Sequence, residues 1–151
     1  MTARLLVVHH TASPATRELL ESVLEGTRAE GIEDVEVDVH PALSATASDV
    51  LAADGVLLGT PANIGYMSGA MKHFFDTVYY PVLDAKPALP YGFWIHGNND
   101  VEGARRSVES IAGALGWSLA AAPVLITGPV GRDEREAAYE LGGTLAATLM
   151  G

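Results

Sequence analysis

Short apolar runs recur along the chain, separated by segments with apolar residues at helical spacing. Leu5-Leu6-Val7-Val8 is a continuous run, the pattern of a strand buried on both faces. From about Ala15 to Gly31, Leu19, Leu20, Val23 and Leu24 recur at helical spacing among Glu and Arg, with Gly31 as a C-cap. Val35-Glu36-Val37-Asp38-Val39 alternates strictly, which predicts a strand with one wet face at a sheet edge. A short helix is expected over about Thr46 to Ala53. Gly55-Val56-Leu57-Leu58 predicts a third, buried strand, and a helix follows from about Ser68 to Tyr79. Tyr91-Gly92-Phe93-Trp94-Ile95, introduced by Pro87 and Pro90, predicts a fourth strand. Val101 to about Leu115 reads as a helix, Pro123-Val124-Leu125-Ile126 as a fifth strand, and Arg132 to Leu149 as the last helix.

Strands that alternate with helices give an α/β fold with right-handed crossovers. The alternating edge strand comes second in the chain. That favours a doubly wound, five-stranded parallel sheet of order 2-1-3-4-5, with a switch point between strands one and three. No repeat, linker or low-complexity segment interrupts the pattern, so residues 1–151 read as a single domain.

Composition narrows the function classes. Net charge is −10, so nucleic-acid and anionic-membrane partners are not expected, since both need a basic face. There are no cysteines, which excludes disulfides, thiolate metal sites and cysteine nucleophiles. His9, His10 and His96 lie near the expected rim, but no carboxylate stands at ligand spacing, and no metal is expected. No apolar run approaches membrane-spanning length, and the N-terminus enters a strand directly. A cytoplasmic protein is the expectation.

Candidate chemistry lies in three loops at the carboxyl ends of strands. The first, His9 to Arg17, offers the hydroxyls of Thr11, Ser13 and Thr16 at a helix N-terminus, which suits a phosphate. Ordinary capping by Ser13, with Pro14 at the first helical position, accounts for the same residues. The second loop runs from Gly59-Thr60-Pro61 through Ala62, Asn63, Ile64 and Gly65. It is nearly free of charge and rich in backbone polar groups, which suits a flat ring with polar edges. The third, His96-Gly97-Asn98-Asn99-Asp100-Val101-Glu102-Gly103, sits on the same rim. It reads equally as a solvent-exposed turn capped by Asn99 or Asp100.

These residues resemble the flavodoxin-like FMN-binding family, especially its NAD(P)H-dependent FMN and quinone reductase branch. Thr11-Ala12-Ser13-Pro14-Ala15-Thr16 is similar to the family's phosphate loop, Ser-x-Thr-Gly-Asn-Thr. Thr60-Pro61, leading through Met67-Ser68-Gly69-Ala70-Met71-Lys72-His73-Phe74-Phe75-Asp76, matches its second motif more specifically. Pro14 and Ala15 depart from the family's Gly-Asn, removing one backbone donor and one amide. Ile64 stands where the reductases often carry an aromatic, and the third loop has no aromatic.

The resemblance implies that His10, Thr11, Ser13, Ala15 and Thr16 hold the phosphate of FMN. Thr60, Pro61, Ala62 and Asn63 would frame the ring, with Ile64 and Gly65 near its reactive nitrogen. His96, Gly97, Asn98, Asn99 and Gly103 would line its pyrimidine side. It further implies an oxidoreductase that uses NAD(P)H to reduce a quinone or other small acceptor. The competing reading is a flavodoxin-type one-electron carrier that docks to a redox protein. Catalysis would be the flavin's own, so no catalytic side chain is assigned. Tyr79-Tyr80-Pro81 would cover a neighbouring site in a homo-oligomer, or simply end a helix. A phospho-acceptor receiver shares the sheet order but needs acidic residues where His9, His10 and Thr60 stand, and is excluded.

Overall fold

The computed structural model describes residues 2–151. The elements run β1 (Ala3–His9), α1 (Pro14–Thr27), β2 (Val35–Pro41), α2 (Ala47–Leu51), β3 (Gly55–Asn63) and β4 (Tyr66–Met67). They continue as α3 (Gly69–Val82), β5 (Pro90–Gly97), α4 (Val101–Ala114), β6 (Ser118–Leu119), β7 (Val124–Thr127) and α5 (Arg132–Thr148). The main sheet is parallel in the order β2-β1-β3-β5, with β6 and β7 sharing the far edge of β5. With β6 and β7 counted as one broken edge strand, this is the order 2-1-3-4-5 expected from the alternating second strand.

The break in that edge has a local cause. Three positions separate Tyr91 from Trp94 on β5, whereas five separate their partners Leu119 and Val124. The excess residues loop out, and Pro123, which has no N–H for the ladder, lies in the loop. The structure also extends β3 well past the apolar run that predicts it. Thr60 and Pro61 stay in the sheet opposite Ile95 and His96, and Ala62 and Asn63 turn back into a hairpin with β4. At the other end of the register, α1 closes at Thr27 with Arg28 as its C-cap, and Gly31 lies beyond in a left-handed turn.

Alternation along the central strands feeds two cores. Leu6, Val8, Leu58 and Phe93 pack in one with Met71 and Phe74 of α3 and Val108 of α4. Leu5, Val7, Leu57 and Trp94 pack in the other with Leu19 of α1 and Leu145 of α5. Each fully buried side chain of this size contributes roughly 1.5–3 kcal/mol relative to its exposed state. The sheet is therefore rigid beneath the loops at its carboxyl edge. No helix among the described residues is long and apolar enough to cross a membrane.

Candidate functional site

Loops from the carboxyl ends of β1, β3 and β5 enclose a cleft of about 560 Å³ at the switch point of the sheet. Ser13 and Ala15 line it from the first loop, Pro61 and Asn63 from the second, and His96 and Asn98 from the third.

The first loop is organised by a reciprocal cap. The Ser13 hydroxyl accepts the Thr16 N–H at 3.2 Å, and the Thr16 hydroxyl donates to the Ser13 carbonyl at 3.0 Å. Thr16 Oγ1 in turn accepts the N–H groups of Ala12 (3.0 Å) and Ser13 (2.9 Å). Thr16 is only 3% exposed, so it orders the loop from inside. The Ala15 N–H has no acceptor among the described residues, because the first turn of a helix leaves its amides unmatched. Ser13 is exposed at the cleft, and its hydroxyl also lies 3.0 Å from the Thr16 hydroxyl.

The second loop is a two-residue hairpin turn. Ile64 (φ 52°) and Gly65 (φ 70°) both lie in the left-handed region, as a type I′ turn requires. Ile64 is fully exposed at its tip. The hairpin is seated on the N-terminus of α4. A Cβ at Gly65 would strike the Asp100 carboxylate, and one at Gly103 would strike the Gly65 carbonyl. Asp100 caps α4, accepting the Gly103 N–H at 3.1 Å. From below, the buried Thr60 hydroxyl accepts the Ser68 N–H at 3.0 Å and donates to the Pro61 carbonyl at 2.9 Å. Ser107 accepts the Met67 N–H at 3.1 Å.

In the third loop, His96 Nε2 donates to the Gly128 carbonyl at 2.6 Å, since a carbonyl can only accept. That bond sets the tautomer and leaves Nδ1 as the acceptor nitrogen of the ring. Asn98 and Asn99 are exposed.

Of the residues singled out by sequence, Ser13, Ala15, Pro61, Ala62, Asn63, His96, Gly97 and Asn98 line the cleft together. Thr16, Thr60 and Gly103 are buried supports behind it. Ile64 and Gly65 form the hairpin tip. His10 and Thr11 face a different cavity, on the other side of the first loop. Sequence reasoning missed Ala12 and Pro14 as cleft walls and Ser107 and Gly128 as braces, and it named Asp100 as one of two candidate caps, the one the structure uses. Asp100 three residues before Gly103, at the start of a helix, was a readable capping signal; the partners of Ser107 and His96 lie across the fold and left none. Tyr79 packs on the core and Tyr80 is exposed, their rings 5.2 Å apart. Among the described residues no group of three or more His, Cys, Asp and Glu is placed to hold a metal.

The site suits FMN. The unmatched Ala15 N–H, the positive end of α1 and the Ser13 hydroxyl suit a phosphate. Pro61 and Ala62, flanked by Asn63, Asn98 and His96, suit a flat ring with polar edges.

Comparison with known proteins agrees. The sequence profile of the NADPH-dependent FMN reductase family matches residues 10–122. A flavodoxin of Aquifex aeolicus is 38% identical over 101 residues, covering 63% of this chain and 54% of that protein. An NAD(P)H dehydrogenase (quinone) of Acidithiobacillus ferrooxidans is 27% identical over 94 residues, covering 49% of this chain and 46% of that protein. The chain thus spans about half the length of the curated relatives it matches. The crystal structure of a flavodoxin, WrbA-like protein from Agrobacterium tumefaciens superposes with a TM-score of 0.80 at 20% identity, over 98% of both chains. The fold is flavodoxin-like, FMN is the cofactor its kinship carries, and the chain belongs to the NADPH-dependent FMN reductase family.

Proposed function

We propose that the chain is an oxidoreductase that holds FMN in the switch-point cleft and passes electrons from NAD(P)H to a quinone or similar small acceptor. The observation that carries this reading is an uncovered cleft. No phenyl, phenol or indole ring is among its lining residues. Trp94 is 2% exposed and packs in the core beneath, and the residue at the hairpin tip is the aliphatic Ile64. A flat ring bound there keeps one face open to a second flat reactant, and near-attack contact between two rings needs such a face.

When bound, FMN supplies hydride and electron transfer. The chain binds, orients and tunes. Ser13 and the Ala15 N–H receive the phosphate, and Thr16 holds their loop in shape. Pro61 and Ala62 support the ring. Thr60, Ser107 and Asp100 keep the hairpin at a fixed height. His96, held through Nε2, presents Nδ1 as a hydrogen-bond acceptor at the edge of the cleft.

Anaerobic addition of NADPH or NADH to the FMN-loaded protein tests the reading. The flavin absorbance should bleach, and a quinone should restore it catalytically without a protein partner. A second reading, an electron carrier, is favoured by the kinship to the Aquifex flavodoxin and by the net charge of −10, which suits a basic protein partner. Nicotinamides that leave the flavin oxidised, with rapid reduction by a reductase protein, would decide for the carrier.

A further inference from the structure

The β1–α1 loop has a second cavity on its other side, about 250 Å³ in volume. His9, His10, Thr11 and Arg17 line it, closed by Pro41 at the end of β2 and by Leu43 just after it. The chain carries 19 Asp and Glu against nine Lys and Arg, yet no carboxylate is among the lining residues. Three groups that carry positive charge, or can take it, share one small space. The groove between α1 and α5 shows the ordinary alternative. There Arg132 and Arg135 are interleaved with Glu18, Glu21 and Glu136.

The basic groups of the small cavity are unmatched. Arg17 makes no ion pair among the described residues. It stands in the first turn of α1, where the helix dipole disfavours a cation. His10 Nδ1 is buried without a hydrogen-bond partner, and such atoms are rare in a satisfied interior. His9 Nδ1 pairs with the Thr11 hydroxyl at 2.9 Å, which leaves Nε2 uncommitted. Burial, then His10, then Arg17 hold the His9 imidazole below its usual pKa of 6.5. An anion entering the cavity relieves that mutual repulsion.

We propose that this cavity is a second anion site, which takes a phosphomonoester separate from the phosphate of the flavin. Arg17 supplies a planar fork that matches phosphate oxygens, and the His9–Thr11 pair supplies one further donor, the imidazole Nε2–H when Thr11 donates to Nδ1. The 2′-phosphate of NADPH is the source favoured by the position, one loop away from the flavin cleft. Only this choice of nucleotide rests on the reading of the chain as an NAD(P)H oxidoreductase; the site itself does not.

Isothermal titration of the FMN-loaded protein with NADP+, NAD+ and inorganic phosphate tests the site. It is repeated on Arg17→Gln and His9→Gln; Arg17 is exposed, so its variant keeps the fold. In parallel, FMN and riboflavin are titrated into the apoproteins. NADP+ should bind about tenfold more tightly than NAD+, the scale of one charge-assisted contact, and each variant should erase most of the difference. Inorganic phosphate that binds with the same dependence on Arg17, while NADP+ and NAD+ bind equally, supports the site and assigns it to free phosphate. Absence of any Arg17-dependent phosphate binding overturns the proposal. So does a selective loss of FMN against riboflavin in the variants, which would make the cavity the seat of the flavin phosphate.

Discussion

Ser13 and Thr16 direct most of their hydrogen bonds at each other and at the loop between them. Thr16→Val keeps the shape of the side chain but leaves the Ala12 and Ser13 N–H groups without their acceptor. Chemical denaturation should show a loss of about 1–3 kcal/mol. Calorimetry should show FMN weakened more than riboflavin, because only FMN carries a dianion, and the loop is its proposed seat. Equal weakening of both flavins would reduce the loop to a helix cap. His9 gives a pH-linked effect. Its pKa is depressed in the folded state, chiefly by burial, so the unfolded chain binds the proton more readily. Stability from this group is full above pH 6.5 and is lost as pH falls from there through the folded pKa. Unfolding free energies from pH 8 to 5 should fall less steeply in His9→Gln than in the unsubstituted protein. The Ser13 cap and Pro14 at the first helical position were legible in order and residue type. The inward burial of Thr16 was not, since the same spacing also serves a hydroxyl aimed at a ligand.

Among the elements, the β3–β4 hairpin departs most from the sequence reading. The apolar run ends at Leu58, yet pairing with β5 carries the strand on to Pro61 and the turn falls at Ile64-Gly65. A β-branched residue in the left-handed region costs roughly 1–2 kcal/mol. Ile64→Asn places the residue type that best tolerates that conformation before a glycine, the preferred pair for this turn. The variant should be more stable by about 1 kcal/mol, with an unchanged denaturant slope. A destabilised Ile64→Asn protein would mean that the exposed isoleucine makes contacts that outweigh the strain. Gly103→Ala should act the other way. Its methyl group would push the Gly65 carbonyl off α4, at a cost of about 1–3 kcal/mol, with FMN affinity falling as the hairpin shifts. Thermal unfolding and flavin titration of that variant measure both effects.

At the scale of the whole molecule, the proposed function turns on a cleft left open at one face. Asn98→Trp adds a ring to the third loop, where the structure has an exposed amide. NAD(P)H turnover should drop at least several-fold while FMN stays bound; unchanged turnover would show that the nicotinamide approaches from elsewhere. The layered fold, its strand order and the three loops at the carboxyl edge were readable from the chain alone. Apolar periodicity reports burial on one or both faces, and burial of that kind has few topological solutions. The motif residues from Thr60 to Asp76 likewise carried the family without coordinates. The division of labour among the site residues came only with the fold. Whether Thr60 faces a ligand or clamps α3, whether His10 joins the flavin cleft or a separate cavity, and whether His96 is held by Gly128 depend on groups distant in sequence. Such contacts follow from how strands and helices stack. A local pattern of residue types holds no record of them.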